Sequence, residues 1–268
     1  MNRIDQTFDR LKAEGDRALV GFVTAGDPDF ETSRRLVSAM CHSGLDVLEL
    51  GVPFSDPTAD GPVIQRASQR ALAGGMRLAR VIEMTERVRQ ETDVPIILFS
   101  YYNPILAYGP GRFYEDALAA GADGLLVVDL PPEESAELTD AWAGSDLSLV
   151  RLVAPTTPPE RVRTIVDGAS GFIYLISKTG VTGSDGLDTG DIASHAAGLR
   201  ALTPLPICVG FGISTAEDVK AVAGVADGVV IGSAFERLIE EHLTAEDLPD
   251  RMADQVRVYK AATRPASN

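Results

Sequence analysis

Cysteine, histidine, lysine and tryptophan are all scarce in this chain of 268 residues, which holds two, three, four and one of them. Cys41 and Cys208 lie far apart in apolar-periodic segments, a spacing that suggests neither a disulfide framework nor a metal site, so both read as buried free thiols. His42, His195 and His242 fall on expected helices, away from strand ends, and no zinc triad can be assembled from them. This argues against metal-dependent aldol cleavage. Of the lysines, Lys12, Lys220 and Lys260 belong to helical segments, and only Lys178 stands at a strand's C-terminal end, where a Schiff-base nucleophile could act. Its place beside a glycine-rich loop, rather than in a dry pocket, weighs against that role. No Gly-x-Gly-x-x-Gly opens a helix, so a nicotinamide cofactor is not supported. Positive charge is short as well: 24 Lys and Arg against 39 Asp and Glu leave a net charge of −15. A basic face for nucleic acid or an anionic membrane is therefore not expected, and an anionic substrate would need a local site. Long hydrophobic runs are missing too. The opening MNRIDQTFDRLKAEG mixes charges with Ile4, Phe8 and Leu11 at helical spacing, neither signal peptide nor membrane span, and points to a soluble, cytoplasmic protein.

What is present is alternation. Short β-branched and apolar runs at Leu19–Thr24, Val47–Gly51, Pro95–Ser100, Gly124–Asp129, Ser148–Ala154, Phe172–Ser177, Ile207–Gly210 and Gly228–Ile231 read as strands. Segments of helical period separate them: Glu31–His42, Leu78–Glu91, Phe113–Ala120, Glu133–Trp142, Pro159–Asp167, Ile192–Leu202 and Thr215–Ala223. Eight alternating units in a chain of this length predict an α/β fold of (β/α)8, or TIM barrel, type. An extra N-terminal helix near Asp5–Glu14 and closing helices near Phe235–His242 and Ala245–Ala262 would be additions. No linker or low-complexity block divides the chain, so residues 1–268 read as a single domain. A doubly wound open sheet stays open as the alternative, because periodicity does not separate the two.

On a barrel, chemistry gathers at the C-terminal ends of the strands and in the loops that follow. Glu49 lies near the end of the second strand, between Leu48 and Leu50, where a strand buried on both faces is ordinarily apolar. Either it pairs with a buried arginine or sits at the barrel rim, or burial raises its pKa so that it carries a proton near neutrality for catalysis. The following loop, GVPFSDPTADGPVIQ, is stiffened by Pro53, Pro57 and Pro62 and carries Asp56 and Asp60. Its nearness to Glu49 is what marks it, since two carboxylates in different surroundings can divide acid and base work. Asp46, Asp123 and Asp227, by contrast, sit in Gly-Leu-Asp and Ala-Asp-Gly units at strand entries and read as structural turn residues.

Glycine gathers at three other strand ends, in SKTGVTGSDGLDTG, VGFGIST and VVIGSAFE. Loops after the seventh and eighth strands, joined to a helix N-terminus, are the usual phosphate site of barrels. Gly212, Gly232 and Ser233 are the expected donors, with Gly183 from the loop after the sixth strand. The stretch from Thr179 to Gly190, including Thr182, reads as a lid or as a merely flexible surface loop. A nest of amides would let so acidic a chain bind a phosphorylated substrate without a basic patch.

The run ELGVPFSDPTADGPVIQ resembles the signature of the tryptophan synthase alpha chain family. The likeness continues in order through GFVTAGDP, SYYNPI, VVDLPPEES, KTGVTG and GFGIS, over nearly the whole chain. It implies a TIM-barrel lyase that cleaves indole-3-glycerol phosphate to indole and glyceraldehyde 3-phosphate by a retro-aldol reaction, with no metal or organic cofactor of its own. By this resemblance Glu49 is the acid–base group and Asp60 faces the indole N–H and stabilises a cationic intermediate. The same phosphate residues follow, and an indole pocket is implied at Phe22, Phe99, Leu126, Tyr174, Phe211 and Val230. The resemblance further implies an α2β2 heterotetramer with a beta chain that holds pyridoxal phosphate, with Asp56 and Asn103 facing that partner. Thr58, Phe99 and Lys178 depart from the family's frequent choices.

Overall fold

Eight parallel strands, β1 (Ala18–Thr24), β2 (Val47–Gly51), β3 (Ile96–Ser100), β4 (Gly124–Val127), β5 (Ser148–Val153), β6 (Ile173–Ile176), β7 (Ile207–Gly210) and β8 (Gly228–Ile231), close into a barrel in chain order. The structure is a computed structural model and describes residues 2–139, 142, 146–177, 188–210 and 212–264. Closure is made by β8 returning to β1, with Val20 opposite Val230, which excludes the open sheet. Around it run α1 (Arg3–Glu14), α2 (Phe30–His42), α3 (Pro62–Ala73), α4 (Leu78–Arg89), α5 (Tyr102–Tyr108), α6 (Pro110–Ala119), α7 (Ala136–Thr139), α8 (Pro159–Val166), α9 (Thr189–Arg200), α10 (Ala216–Ala223), α11 (Ser233–Glu241) and α12 (Leu248–Ala262).

Strand positions follow the sequence expectation with ends shifted by one or two residues. Two helices depart from it. Helix α3 forms inside what reads as a continuous loop, starting with Pro62 at its first position, where proline's fixed φ and missing N–H do no harm. It buries only Ala67, Ser68 and Ala71, residues too small to mark an apolar face. Helix α5 is a similar surprise, whereas the helix expected over Glu133–Trp142 is a 3-10 turn at Pro132–Glu134 followed by the single turn of α7.

The apolar side chains form two clusters. One fills the layer between strands and helices; the other, including Val20, Val47, Ile97, Leu126, Val150, Tyr174, Cys208 and Val230, fills the barrel. This two-sided burial explains why every residue of β1 is buried and why the strands show runs rather than alternation. Helix α1 closes the end where the strands begin. Its Ile4, Phe8 and Leu11 join the inner cluster, and Phe8 meets Phe172 with ring centres 5.7 Å apart. Asn2 fixes it there, capping the helix together with Asp5 and donating through Nδ2 to Asp146 O at 2.8 Å and Ser148 Oγ at 2.6 Å.

The same end holds the three strand-entry aspartates, and their roles are structural. Asp46 Oδ2 accepts from Leu19 N at 2.8 Å, Asp123 Oδ2 from Ile96 N at 2.9 Å and Asp227 Oδ2 from Ile207 N at 3.0 Å. In each case the aspartate's own N–H donates back to that residue's carbonyl, so every one clamps the start of a neighbouring strand. Each also meets a cation: Lys260, Arg89 and Arg200. Among the described residues no helix is long and apolar enough to cross a membrane.

Candidate active site

At the opposite end the barrel holds a carboxylate with no such company. Glu49 points inward from β2, level with Phe22 of β1 and Ile97 of β3. Its relative exposure is 0%, and neither carboxylate oxygen has a hydrogen-bond partner among the described residues. Burial alone raises its pKa to about 8, because a charge there would lose its hydration with no replacement. Glu49 therefore carries a proton at neutral pH. The buried-arginine alternative does not apply among these residues.

The surroundings form an apolar shaft. Phe22 and Phe99 meet edge to face at 5.0 Å, and Leu126, Tyr174 and Val230 belong to the same inner cluster. Glycines make room for the large rings. A Cβ on Gly51 would stand 2.6 Å from the Phe22 ring, and one on Gly210 would stand 2.2 Å from Tyr174 Oη. Burial, and then the nearby charge of Glu49, holds the Tyr174 phenol well above its ordinary pKa, with Asp60 contributing in the same direction. The two acids thus converge electrostatically on one tyrosine. Val128, Leu152 and Ile176 also pack against this inner cluster. Sequence reasoning missed them, although their even spacing from Leu126, Val150 and Tyr174 is the inward-facing signal.

Asp60 stands half-buried in the loop after β2. Tyr101, just beyond β3, donates from its hydroxyl to Asp60 Oδ2 at 3.0 Å and accepts from Ala59 N at 2.9 Å. Burial raises the Asp60 pKa to about 6, against the opposing pull of the Tyr101 hydroxyl. Phe54 packs on Tyr101 with ring centres 5.1 Å apart. Tyr101 is a site residue that the sequence did not reveal, since its partner lies 41 positions away. Asp56 and Asn103 are exposed on the same side, Asp56 accepting only from Ser55 Oγ at 2.5 Å among the hydrogen bonds described.

Three of the expected phosphate donors, Gly212, Gly232 and Ser233, lie among the described residues. Gly212, after β7, has φ of +79°, a left-handed conformation natural to glycine. Gly232 is the N-cap of α11 and Ser233 its first residue, and among the described residues no side chain caps this helix, whose leading N–H groups have no partner within the helix itself. Behind it, Glu236 is fully buried and accepts from Thr24 N at 2.5 Å. Burial first, and the charge of Asp27 second, push Glu236 to about 8. Asp27 is gripped by Arg70 through two contacts of 2.8 Å, and Arg70 also reaches Glu240 at 2.9 Å. This network ties α11 to β1 and α3 across more than 150 residues, leaving no local sequence signal. Gly183, Thr182, Lys178 and Phe211 lie outside the described residues. Among those described, no cluster of three or more His, Cys, Asp or Glu side chains could hold a metal ion.

Fold and site define a class: a (β/α)8 barrel with two carboxylates of raised proton affinity, Glu49 and Asp60, at the C-terminal side of its strands and an apolar shaft beside them. Comparison narrows it. The family model of the tryptophan synthase alpha chain matches residues 8–264. The tryptophan synthase alpha chain of Desulfatibacillum aliphaticivorans is 64% identical over 264 residues, covering 98% of this chain and 100% of that one. The crystal structure of tryptophan synthase subunit alpha from Legionella pneumophila superposes with a TM-score of 0.89 at 40% identity, covering 98% of each chain. A chain from the aminoacrylate-bound tryptophan synthase of M. tuberculosis gives 0.88 at 31% identity, over 98% of this chain and 100% of that one. The chain belongs to the tryptophan synthase alpha chain family.

Proposed function

We propose that this chain, acting as one barrel domain over residues 1–268, is a lyase of tryptophan biosynthesis. It cleaves indole-3-glycerol phosphate to indole and glyceraldehyde 3-phosphate, with Glu49 and Asp60 as the acting carboxylates. The observation that carries this reading is the full burial of Glu49 in an apolar shaft with no hydrogen-bond partner among the described residues, surroundings that raise its pKa to about 8 and leave it a proton to give. That proton passes to C3 of the indole ring, and the positive charge spreads onto the ring nitrogen. Asp60, ionised above its pKa of about 6, accepts a hydrogen bond from the indole N–H and offsets this charge. The Glu49 carboxylate then takes the proton of the glycerol hydroxyl next to the ring. The carbon–carbon bond breaks, its electrons restore the aromatic ring, an aldehyde forms, and Glu49 is again protonated. The ring itself serves as the electron sink, so these steps require no metal or organic cofactor from this chain. The shaft of Phe22, Phe99, Leu126, Tyr174, Phe211 and Val230 receives the indole. Gly183, Gly212, Gly232 and Ser233 receive the phosphate, and the segment around Thr182 closes over it.

The exposed Asp56 and Asn103 fit a docking face for a beta chain carrying pyridoxal phosphate, in a cytoplasmic α2β2 assembly that consumes the indole. Indole release from indole-3-glycerol phosphate by the purified chain tests the reaction, and a Glu49→Gln variant that kept most of the wild-type rate would overturn the assignment. Addition of beta chain is expected to raise the rate; an unchanged rate refutes the coupling alone.

A further inference from the structure

Strands β4 and β5 part early. Their ladder ends at Leu126 opposite Val150, whereas β5 stays paired with β6 as far as Val153. The wedge so opened holds a cavity of about 320 Å³, roofed by Pro131, Pro132 and α7 and flanked by α8. Its volume lies at the small end of the range for ligand pockets. None of Glu49, Asp60, Phe22 and Tyr174 lines it, while Val128, Val150 and Leu152 of the inner cluster form one wall, so it adjoins the shaft described above without containing its carboxylates.

Arg151 enters this cavity from β5. Val150 and Leu152 belong to the barrel interior and Leu149 and Val153 to the outer layer, so strand alternation turns Arg151 outward, away from the shaft. Its exposure is 9%. Nη2 donates to Ser135 Oγ at 2.7 Å, but Nε has no acceptor among the described residues. The nearby acids are engaged elsewhere: Glu133 pairs with Arg161, and Asp129 Oδ1 accepts from Tyr102 N at 2.7 Å. Ser135 Oγ itself donates to Pro132 O at 2.7 Å. A guanidinium cannot shed its proton to escape this position, so Arg151 is a buried cation without a paired carboxylate among the described residues. Burial accordingly lowers its pKa, against the partial support of the Glu133 charge.

We propose that this cavity binds a small organic monocarboxylate with an apolar body, its carboxylate on Arg151 and its body against Leu130, Leu138, Leu149 and Ile165. A carboxylate matches the planar edge of a guanidinium. The aliphatic lining calls for an apolar body, and Asp129 and Glu133 nearby would repel a phosphate dianion. The site lies outside the proposed reaction and does not depend on it.

Calorimetric titration of the full chain with 3-phenylpropionate, 3-phenylpropionamide and inorganic phosphate tests the proposal. The acid is expected to bind saturably at one site, the amide at least about tenfold more weakly, and phosphate not at all, since a charge-assisted hydrogen bond separates the first two. Arg151→Met is expected to weaken the acid by at least about tenfold. Binding should persist in a Glu49→Gln chain saturated with indole-3-glycerol phosphate. Equal affinity for acid and amide, unchanged affinity in Arg151→Met, displacement by the indole substrate, preference for phosphate, or no saturable binding would each overturn it. Should Arg151→Met fail to fold, the acid and amide comparison on the wild-type chain decides.

Discussion

The two ends of the barrel treat carboxylates in opposite ways. Where the strands begin, Asp46, Asp123 and Asp227 each accept a backbone N–H and each meet a cation. Where the strands end, Glu49 has no hydrogen-bond partner among the described residues and Asp60 meets one tyrosine hydroxyl. The first arrangement stabilises charge and with it the fold. The second withholds stabilisation, so that proton affinity rises and the group becomes chemically useful. A barrel can afford such a site at one end because the other is fastened.

The sharpest test of this contrast is Glu49→Gln. Loss of a general acid–base group is expected to cut indole release by roughly 10²–10⁴-fold, while the melting temperature stays level or rises because a buried, unpartnered acid has gone. A drop in both would place Glu49 with the fastening groups. Asp123→Ala should do the reverse. It strips the acceptor from Ile96 N and from Arg89, and removing one partner of a buried pair costs about 3 kcal/mol. Urea unfolding would register the loss, with kcat/KM of the folded fraction unchanged.

Smaller effects concern protons. Glu49 has a folded pKa raised from 4.5 to about 8, so the unfolded chain releases its proton first and stability falls as pH climbs between those values. The penalty is absent below 4.5 and complete above about 8. At up to about 1.4 kcal/mol per pH unit, Glu49→Gln should gain about 2 kcal/mol on the wild type between pH 5 and pH 7. Parallel unfolding curves at the two pH values would refute this. In the rate, kcat/KM of the free enzyme should rise through about pH 6 as Asp60 ionises and fall through about pH 8 as Glu49 loses its proton. Tyr101→Phe removes the hydroxyl that holds Asp60 down and should move the rising limb upward by roughly one unit, the worth of one hydrogen bond to a charged group.

Much of this was legible along the chain. The strands announce themselves because burial on both faces demands unbroken apolar runs, and Glu49 stands out because it interrupts one. The aspartates of the strand entries read correctly from turn chemistry. Helix α3 did not, since Ala67, Ser68 and Ala71 bury a face too small to leave a hydrophobic period. Tyr101, and the set of Asp27, Arg70, Glu236 and Glu240, were silent for another reason: their contacts join residues tens to hundreds of positions apart.

The sequence by itself determined the alternation of strand and helix, the position of an acid where apolar side chains belong, and the glycines at the ends of β7 and β8. Hydrophobic period, turn chemistry and backbone freedom are local properties, carried by a few neighbouring residues. Only the tertiary structure decided that the sheet closes, that Glu49 has no partner among the described residues while its counterparts at the other end have two, and that Arg151 is buried beside a cavity. Desolvation and pairing depend on what the fold brings near from elsewhere in the chain, and so do the proton affinities that follow from them.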